Sequence, residues 1–308
     1  MIGHPPINYW NYDPTTGQID LSRGAKEKTL DLQTTTNPIR LDTNRTALVI
    51  IDMQNLFLSP HLRPAGIPKD EQSPGQRAAK ALIDEGLSAA RTAGIQVIWL
   101  NWGLTEEELE TMPPGVMRAF GIYETKTKTS ATADASVIED EPPNMLRSRN
   151  PNVYKGPGQS LGLITLDNEI VDGGRMLMRD SWNCALYPPL EKEFLKGSAP
   201  SPDHPDAKKD IIINKNRMSG LWGSDQELER FLEVEGITSL LFAGVNLDQC
   251  VGGTLVDAFN KGYDCILLRD ASGTSSPGFS EQGWHYNIQN CWGFVTTCKA
   301  LKEAKSSS

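Results

Sequence analysis

The sequence predicts an α/β protein: a three-layer sandwich with a mainly parallel six-stranded sheet flanked by helices. Three observations carry this. Short continuous apolar runs recur along the chain, the pattern of strands buried on both faces. Segments of helical period alternate with them, several closed by glycine. The chain has 308 residues, 38% apolar and 22% charged, which is enough for one large core.

The elements follow in order. Residues 1–45 are polar, rich in Thr, Asn and Pro, and show no sustained period. They read as an N-terminal arm lying on the domain or on a neighbouring subunit. TALVIID, 46–52, is a short apolar strand ending in an acid. Residues 74–93 form an amphipathic helix closed by Gly94. IQVIWLN, 95–101, is a second buried strand. Residues 103–175 are rich in Pro, Gly, Thr and charge, and include EDEPPNMLRSRNP. They read as a long insertion over the active site with short helices of its own.

Regular alternation then resumes. DIIINK (210–215) is a strand, and SDQELERFLEVEG (224–236) is a helix with Ser224 as its N-cap. ITSLLFAGV (237–245) is a strand, and CVGGTLVDAFNKG (250–262) a helix closed by Gly262. YDCILLRDA (263–271) is a strand, SEQGWHYNIQNC (280–291) a helix and GFVTT (293–297) a last short strand. The domain spans 46–300, with a tail at 301–308.

Composition excludes several classes. A formal charge of -9 disfavours nucleic acid as a partner. No run approaches the roughly 18–20 apolar residues that cross a bilayer, so no membrane partner is expected. The N-terminus lacks the basic and apolar regions of a signal peptide. Five widely spaced cysteines suggest reduced thiols and a cytoplasmic location. Phosphate-cradling glycine motifs are absent, so no nucleotide cofactor is expected. The histidines are His4, His61, His204 and His285, and none pairs with another at ligand spacing, so no metal is expected.

Three chemical groups fall at strand carboxyl ends, where ligands sit in such sheets. They are Asp52, Lys215 and Cys250. A thiol at a helix start feels the positive end of the dipole, which lowers its pKa and makes it a nucleophile. Each residue alone has an ordinary structural role open to it: a loop hydrogen bonder, a solvated strand end, a small packing residue. Three such groups on three strand ends of one sheet could share a pocket.

TALVIIDMQNLF resembles the opening strand of the isochorismatase-like cysteine hydrolases. NKNRMSGLWGSDQELERFL resembles that family's lysine segment, and LLFAGVNLDQCVGGTLVDAFNKGYDCILLRDASG its nucleophile segment. VIWLNWG, RDSWNCALYPPL and YNIQNCWGFV are similar to the ureidoacrylate amidohydrolase branch. The resemblance covers roughly residues 44–102 and 176–300. It implies a catalytic triad of Asp52, Lys215 and Cys250. It also implies a cis peptide between Val245 and Asn246, with the N–H groups of Asn246 and Cys250 forming an oxyanion hole. Homo-oligomers, dimers or tetramers, are common in the family. The chain departs from the family pattern at Leu247, where a threonine is frequent, and at Met218, where an aromatic is common. The insertion is longer than in compact members. These departures bear on the substrate, not on the triad.

The function expected is cofactor-free cleavage of a C–N bond in a small amide or ureide through a Cys thioester. Asn101, Trp102, Gln54 and Trp222 are the expected substrate contacts, the tryptophans as apolar walls and Asn101 or Gln54 as hydrogen bonders. Gln54 could equally hold Asp52 in place, and Arg217 could meet a substrate carboxylate. Two rivals stay open: an isochorismate-type vinyl-ether hydrolase needing no thiol, and a catalytically silent ligand-binding member.

Overall fold

The structure, a computed structural model, describes residues 1–62, 70–121, 156–199 and 208–307. The segment 139–151 and His204 lie outside them, as does the middle of the expected insertion. The first five strands are β1 (Ile2–His4), β2 (Asn8–Tyr12), β3 (Ile19–Asp20), β4 (Thr29–Leu32) and β5 (Ile39–Asp42). β6 (Thr46–Ile51) and β7 (Gln96–Trp102) follow. β8 (Leu163–Thr165) and β9 (Ile170–Asp172) form a small antiparallel pair. The rest are β10 (Ile211–Lys215), β11 (Ser239–Val245), β12 (Asp264–Gly273), β13 (Phe294–Thr296) and β14 (Lys305–Ser307).

The central sheet has six strands in the order β10-β7-β6-β11-β12-β13. Every pairing in it is parallel. Its strands read as unbroken apolar runs because both faces are covered. Alternate residues of β6 and β7 join two separate cores: Val49, Ile51, Ile98, Leu100 and Trp102 pack on one face, and Leu48, Ile50, Val97 and Trp99 on the other. The triad candidates belong to the first face.

The helix predicted at 74–93 runs from Pro74 to Thr92 with a π turn at Leu82–Gly86. Ser73 caps it in a capping box: its hydroxyl accepts from the Gln76 backbone N–H, and its own backbone N–H donates to Gln76 Oε1. Ser224 is not a helix N-cap. Asp225 takes φ +60, and the helix starts only at Glu227 after Gln226. The helix expected from Cys250 begins earlier, with a π turn at Leu247–Val251 that continues into Gly252–Asn260.

Residues 1–45 hold more order than their composition suggests. Their strands build a second sheet, β1-β2-β3-β5-β4-β14, in which the tail strand β14 lies antiparallel to β4. The arm is fastened to the domain through a buried charge cluster. Arg23 grips Asp264 with Nη1 at 2.7 Å and Nη2 at 3.0 Å. The indole N–H of Trp10 and the hydroxyl of Ser239 donate to the same carboxylate. Among the described residues no helix is long and apolar enough to cross a membrane.

Candidate active site

The parallel sheet places three chain segments side by side at its carboxyl edge. β6 ends at Ile51, and Asp52 turns away with φ +55, a left-handed conformation that Asp tolerates better than most residues. The turn is held on both sides: the Asp52 N–H donates to Leu100 O, and its carbonyl accepts from Gln54 N. Lys215 ends β10 in register with Trp102 on β7. Cys250 rides in the π turn that follows β11. The Val245–Asn246 peptide between them is cis.

Asp52 and Lys215 form a fully buried ion pair. Lys215 Nζ lies 3.1 Å from Asp52 Oδ2, and both side chains are 1% exposed. Oδ2 lacks a well-aligned hydrogen-bond donor among the described residues, so the contact is chiefly ionic. Nζ also donates to Arg217 O at 3.1 Å. It sits 3.9 Å above the centre of the Trp102 ring. Asp52 Oδ1 accepts from the Trp102 backbone N–H at 3.2 Å.

The Cys250 thiol is buried against this pair. It has two acceptors in reach, the Met218 thioether at 3.5 Å and the Asp52 carboxylate. The carboxylate, being charged, is the stronger acceptor. Burial pushes the thiol up to about 12, and the negative charge of Asp52 adds to this; Lys215 and the Trp102 side chain act in the opposite sense. The lowered pKa expected from a helix start is therefore not found. A buried thiol beside a carboxylate loses more from desolvation and repulsion than a helix terminus returns. Burial also raises Asp52, against the pull of Lys215 and its hydrogen bonds. A carboxylate raised in this way is a better proton acceptor for a thiol.

The nucleophile turn is clamped from the far side. Asp248 accepts from Thr274 Oγ1 at 2.6 Å and Ser280 Oγ at 2.7 Å. The N–H groups of Gln249 and Val251 both turn back to Asn246 O. The sequence alone did not single out Asp248, because its partners, one after β12 and one in the helix Gly278–Asn287, are 26 and 32 residues away.

The four expected substrate contacts lie in different surroundings. Gln54 is buried and acts as a brace: Nε2 donates to Trp102 O and Cys184 O, both at 2.7 Å, and Oε1 accepts from Trp102 N. Trp102 is fully buried beneath Lys215 and edge-on to Phe120, closed off from any ligand in this structure. Asn101 is buried on the Trp99 face by strand alternation, and its Oδ1 has no hydrogen-bond partner among the described residues. Trp222 is 47% exposed, donates to Asn216 Oδ1 and stacks with Arg217. Arg217 donates to Asn216 O and Met112 Sδ. Leu247 is buried in the apolar core, whereas Met218 touches the thiol directly. A cavity of about 600 Å³ lies elsewhere, between the arm and the start of β12, and contains none of the triad.

Among the described residues no three His, Cys, Asp or Glu side chains gather as a ligand set. His61 is near Asp167 at 4.0 Å, and His285 is held below its usual range by burial.

The chain is similar to several known proteins. Residues 188–299 match the family model of the isochorismatase domain. A ureidoacrylate amidohydrolase of Azorhizobium caulinodans is 28% identical over 269 residues, 87% of this chain and 93% of that protein. One of Stutzerimonas stutzeri is 28% identical over 279 residues, 90% and 89% of the two chains. Among solved structures, an isochorismatase family protein from Desulfovibrio vulgaris aligns with a TM-score of 0.51 at 17% identity, covering 84% of this chain and 97% of that one. A cysteine hydrolase from Pseudomonas syringae pv. phaseolicola aligns with a TM-score of 0.51 at 19% identity, covering 89% and 97%. The fold is isochorismatase-like, and the resemblance read from the motifs holds.

Proposed function

We propose that this chain is a cysteine hydrolase that cleaves a C–N bond of a small amide or ureide, ureidoacrylate-like, through a thioester on Cys250. The observation that carries the reading is the buried Asp52–Lys215 pair at 3.1 Å with the Cys250 thiol packed against it. Similarity to ureidoacrylate amidohydrolases over most of the chain supports the substrate class.

The steps follow from the charges. Asp52 takes the Sγ proton as sulfur attacks the substrate carbonyl carbon. The carbonyl oxygen gains the negative charge, facing the N–H groups of Asn246 and Cys250. Collapse re-forms the carbonyl and breaks the C–N bond, and Asp52 gives its proton to the departing nitrogen. Water then attacks the thioester, losing a proton to Asp52, and the sulfur leaves and takes that proton back. The net reaction consumes one water and releases an amine and an acid. Lys215 balances the negative charge throughout. Trp222 stays as a proposed substrate contact, whereas Asn101, on the opposite face of the sheet from the triad, does not. The five free cysteines suit a reducing, cytoplasmic setting, and a homo-oligomer is part of the same reading.

The test is a panel of ureides and primary amides against wild type and Cys250→Ala, with intact mass after rapid quenching. An acyl adduct on Cys250 and loss of turnover in the variant are expected. Full hydrolysis by Cys250→Ala would sink the mechanism. Turnover of a vinyl ether without an adduct would shift the reading to that chemistry.

A further inference from the structure

Trp102 is placed as no core tryptophan needs to be. Its backbone N–H is shared between Asp52 Oδ1 at 3.2 Å and Gln54 Oε1 at 3.1 Å, and its carbonyl accepts from Gln54 Nε2 at 2.7 Å. Parallel register with Lys215 brings the ammonium over the ring face at 3.9 Å. Phe120 supports the ring edge-on, centroids 5.3 Å apart. The indole Nε1 is buried and has no hydrogen-bond partner among the described residues.

An indole nitrogen can only donate, so a buried one is satisfied only when an acceptor appears. A neutral thiol is a weak acceptor and a thiolate a strong one. We propose that Trp102 holds the ionised nucleophile: its ring face seats the Lys215 ammonium, and its indole N–H hydrogen-bonds the Cys250 thiolate. The direction in which the Trp102 side chain acts on Cys250, downward against burial and Asp52, agrees with this. When the proton passes from Sγ to Asp52, the charge left on sulfur meets an ammonium and an indole N–H fixed in advance. No reorganisation is then needed at the moment of attack. This inference deepens the cysteine-hydrolase reading and rests on it only for its link to turnover.

The thiol can be read without any substrate. In a Cys291→Ser background, which removes the exposed thiol, Cys250 alkylation by iodoacetamide is followed at fixed mildly alkaline pH by peptide mass mapping. Two replacements are compared. Trp102→Phe keeps a ring face, and benzothienylalanine at position 102 keeps the full indole shape with sulfur in place of N–H. Alkylation about tenfold slower in both is expected, corresponding to roughly one unit of thiol pKa. A purely structural role predicts the opposite sign or none, because looser packing admits reagent faster. An unchanged or faster rate with benzothienylalanine overturns the inference, whether or not Trp102→Phe folds. With substrate, kcat falls about tenfold and KM holds. If Cys250→Ala still hydrolyses while alkylation slows, the hydrolase reading fails and the role of Trp102 stands. If Cys250→Ala is inactive and alkylation is unchanged, the hydrolase reading stands and the role of Trp102 fails.

Discussion

Lys215 and Asp52 meet at 3.1 Å across the intervening strand β7, with both side chains 1% exposed. Removing either partner leaves an uncompensated charge in the core. Lys215→Met and Asp52→Leu each destabilise the protein by about 3–5 kcal/mol. The double variant costs clearly less than the sum, because no lone charge remains. Urea unfolding of the four proteins checks this; additive losses would mean the pair is not coupled.

The pH–rate profile carries the sign of the Asp52 shift. Asp52 must be ionised to take the thiol proton, and burial raises its pKa. Activity is therefore lost on acidification at a pH above the ordinary carboxylate value of about 3.9. Stability moves the other way. The unfolded chain ionises this group at lower pH than the native one, so its contribution turns unfavourable as pH rises through that window. An acid limb at or below the ordinary carboxylate range would contradict the shift.

Thiol labelling separates exposed Cys291 from the buried cysteines. In the ligand-free protein at neutral pH, iodoacetamide modifies exposed Cys291 first. Cys250, pushed up to about 12, labels far more slowly. Cys265 and Cys298, both buried and shifted upward, are slower than Cys291 as well. Peptide mapping over time gives the order, and rapid selective labelling of Cys250 would show that its thiolate is already formed at rest.

Gly244 admits no side chain. Its φ is +127, and a Cβ would stand 2.1 Å from Ile51 O on β6. Gly244→Ala forces β11 away from β6 just before the cis peptide. A loss of more than about 3 kcal/mol is expected by thermal or urea unfolding, together with loss of activity. A near-neutral variant would mean the two strands are not so closely apposed.

One buried carboxylate gathers several of the contacts that tie the arm to the domain. Asp264 is 3% exposed and receives Arg23, Trp10 and Ser239. Asp264→Ala leaves the guanidinium buried without its partner, a cost of about 3–5 kcal/mol. Limited proteolysis then cuts within residues 1–45 far faster than in wild type. Equal cleavage rates would mean that the arm is held by other contacts.

The central sheet was legible because fully buried strands write continuous apolar runs, and those runs end within two residues of the observed β6, β7, β10 and β11. Asp52, Lys215 and Cys250 were legible for the same reason, as chemical groups stranded at the ends of such runs. The second sheet was not. β3 has two residues and β1 three, their sequences are polar, and β4 finds its partner in residues 305–307. Pairing of that span leaves no local period. The charge state of Cys250 was also illegible. A helix start can be read from sequence, but the burial and the carboxylate that outweigh it come from packing on other strands. Ser224 failed as a cap for a related reason: the left-handed Asp225 delays the helix by a turn that composition does not announce.

The strand order has a consequence in time. β6 is near the middle of the central sheet, yet one of its two neighbours, β11, begins at Ser239. At about 5–20 residues per second, a ribosome needs roughly 10–40 seconds to make the stretch between them. For that interval the strand that will carry Asp52 exists with one edge and much of both faces open. The nascent chain must wait, half-paired and adhesive, in the company of chaperones before the site can exist at all.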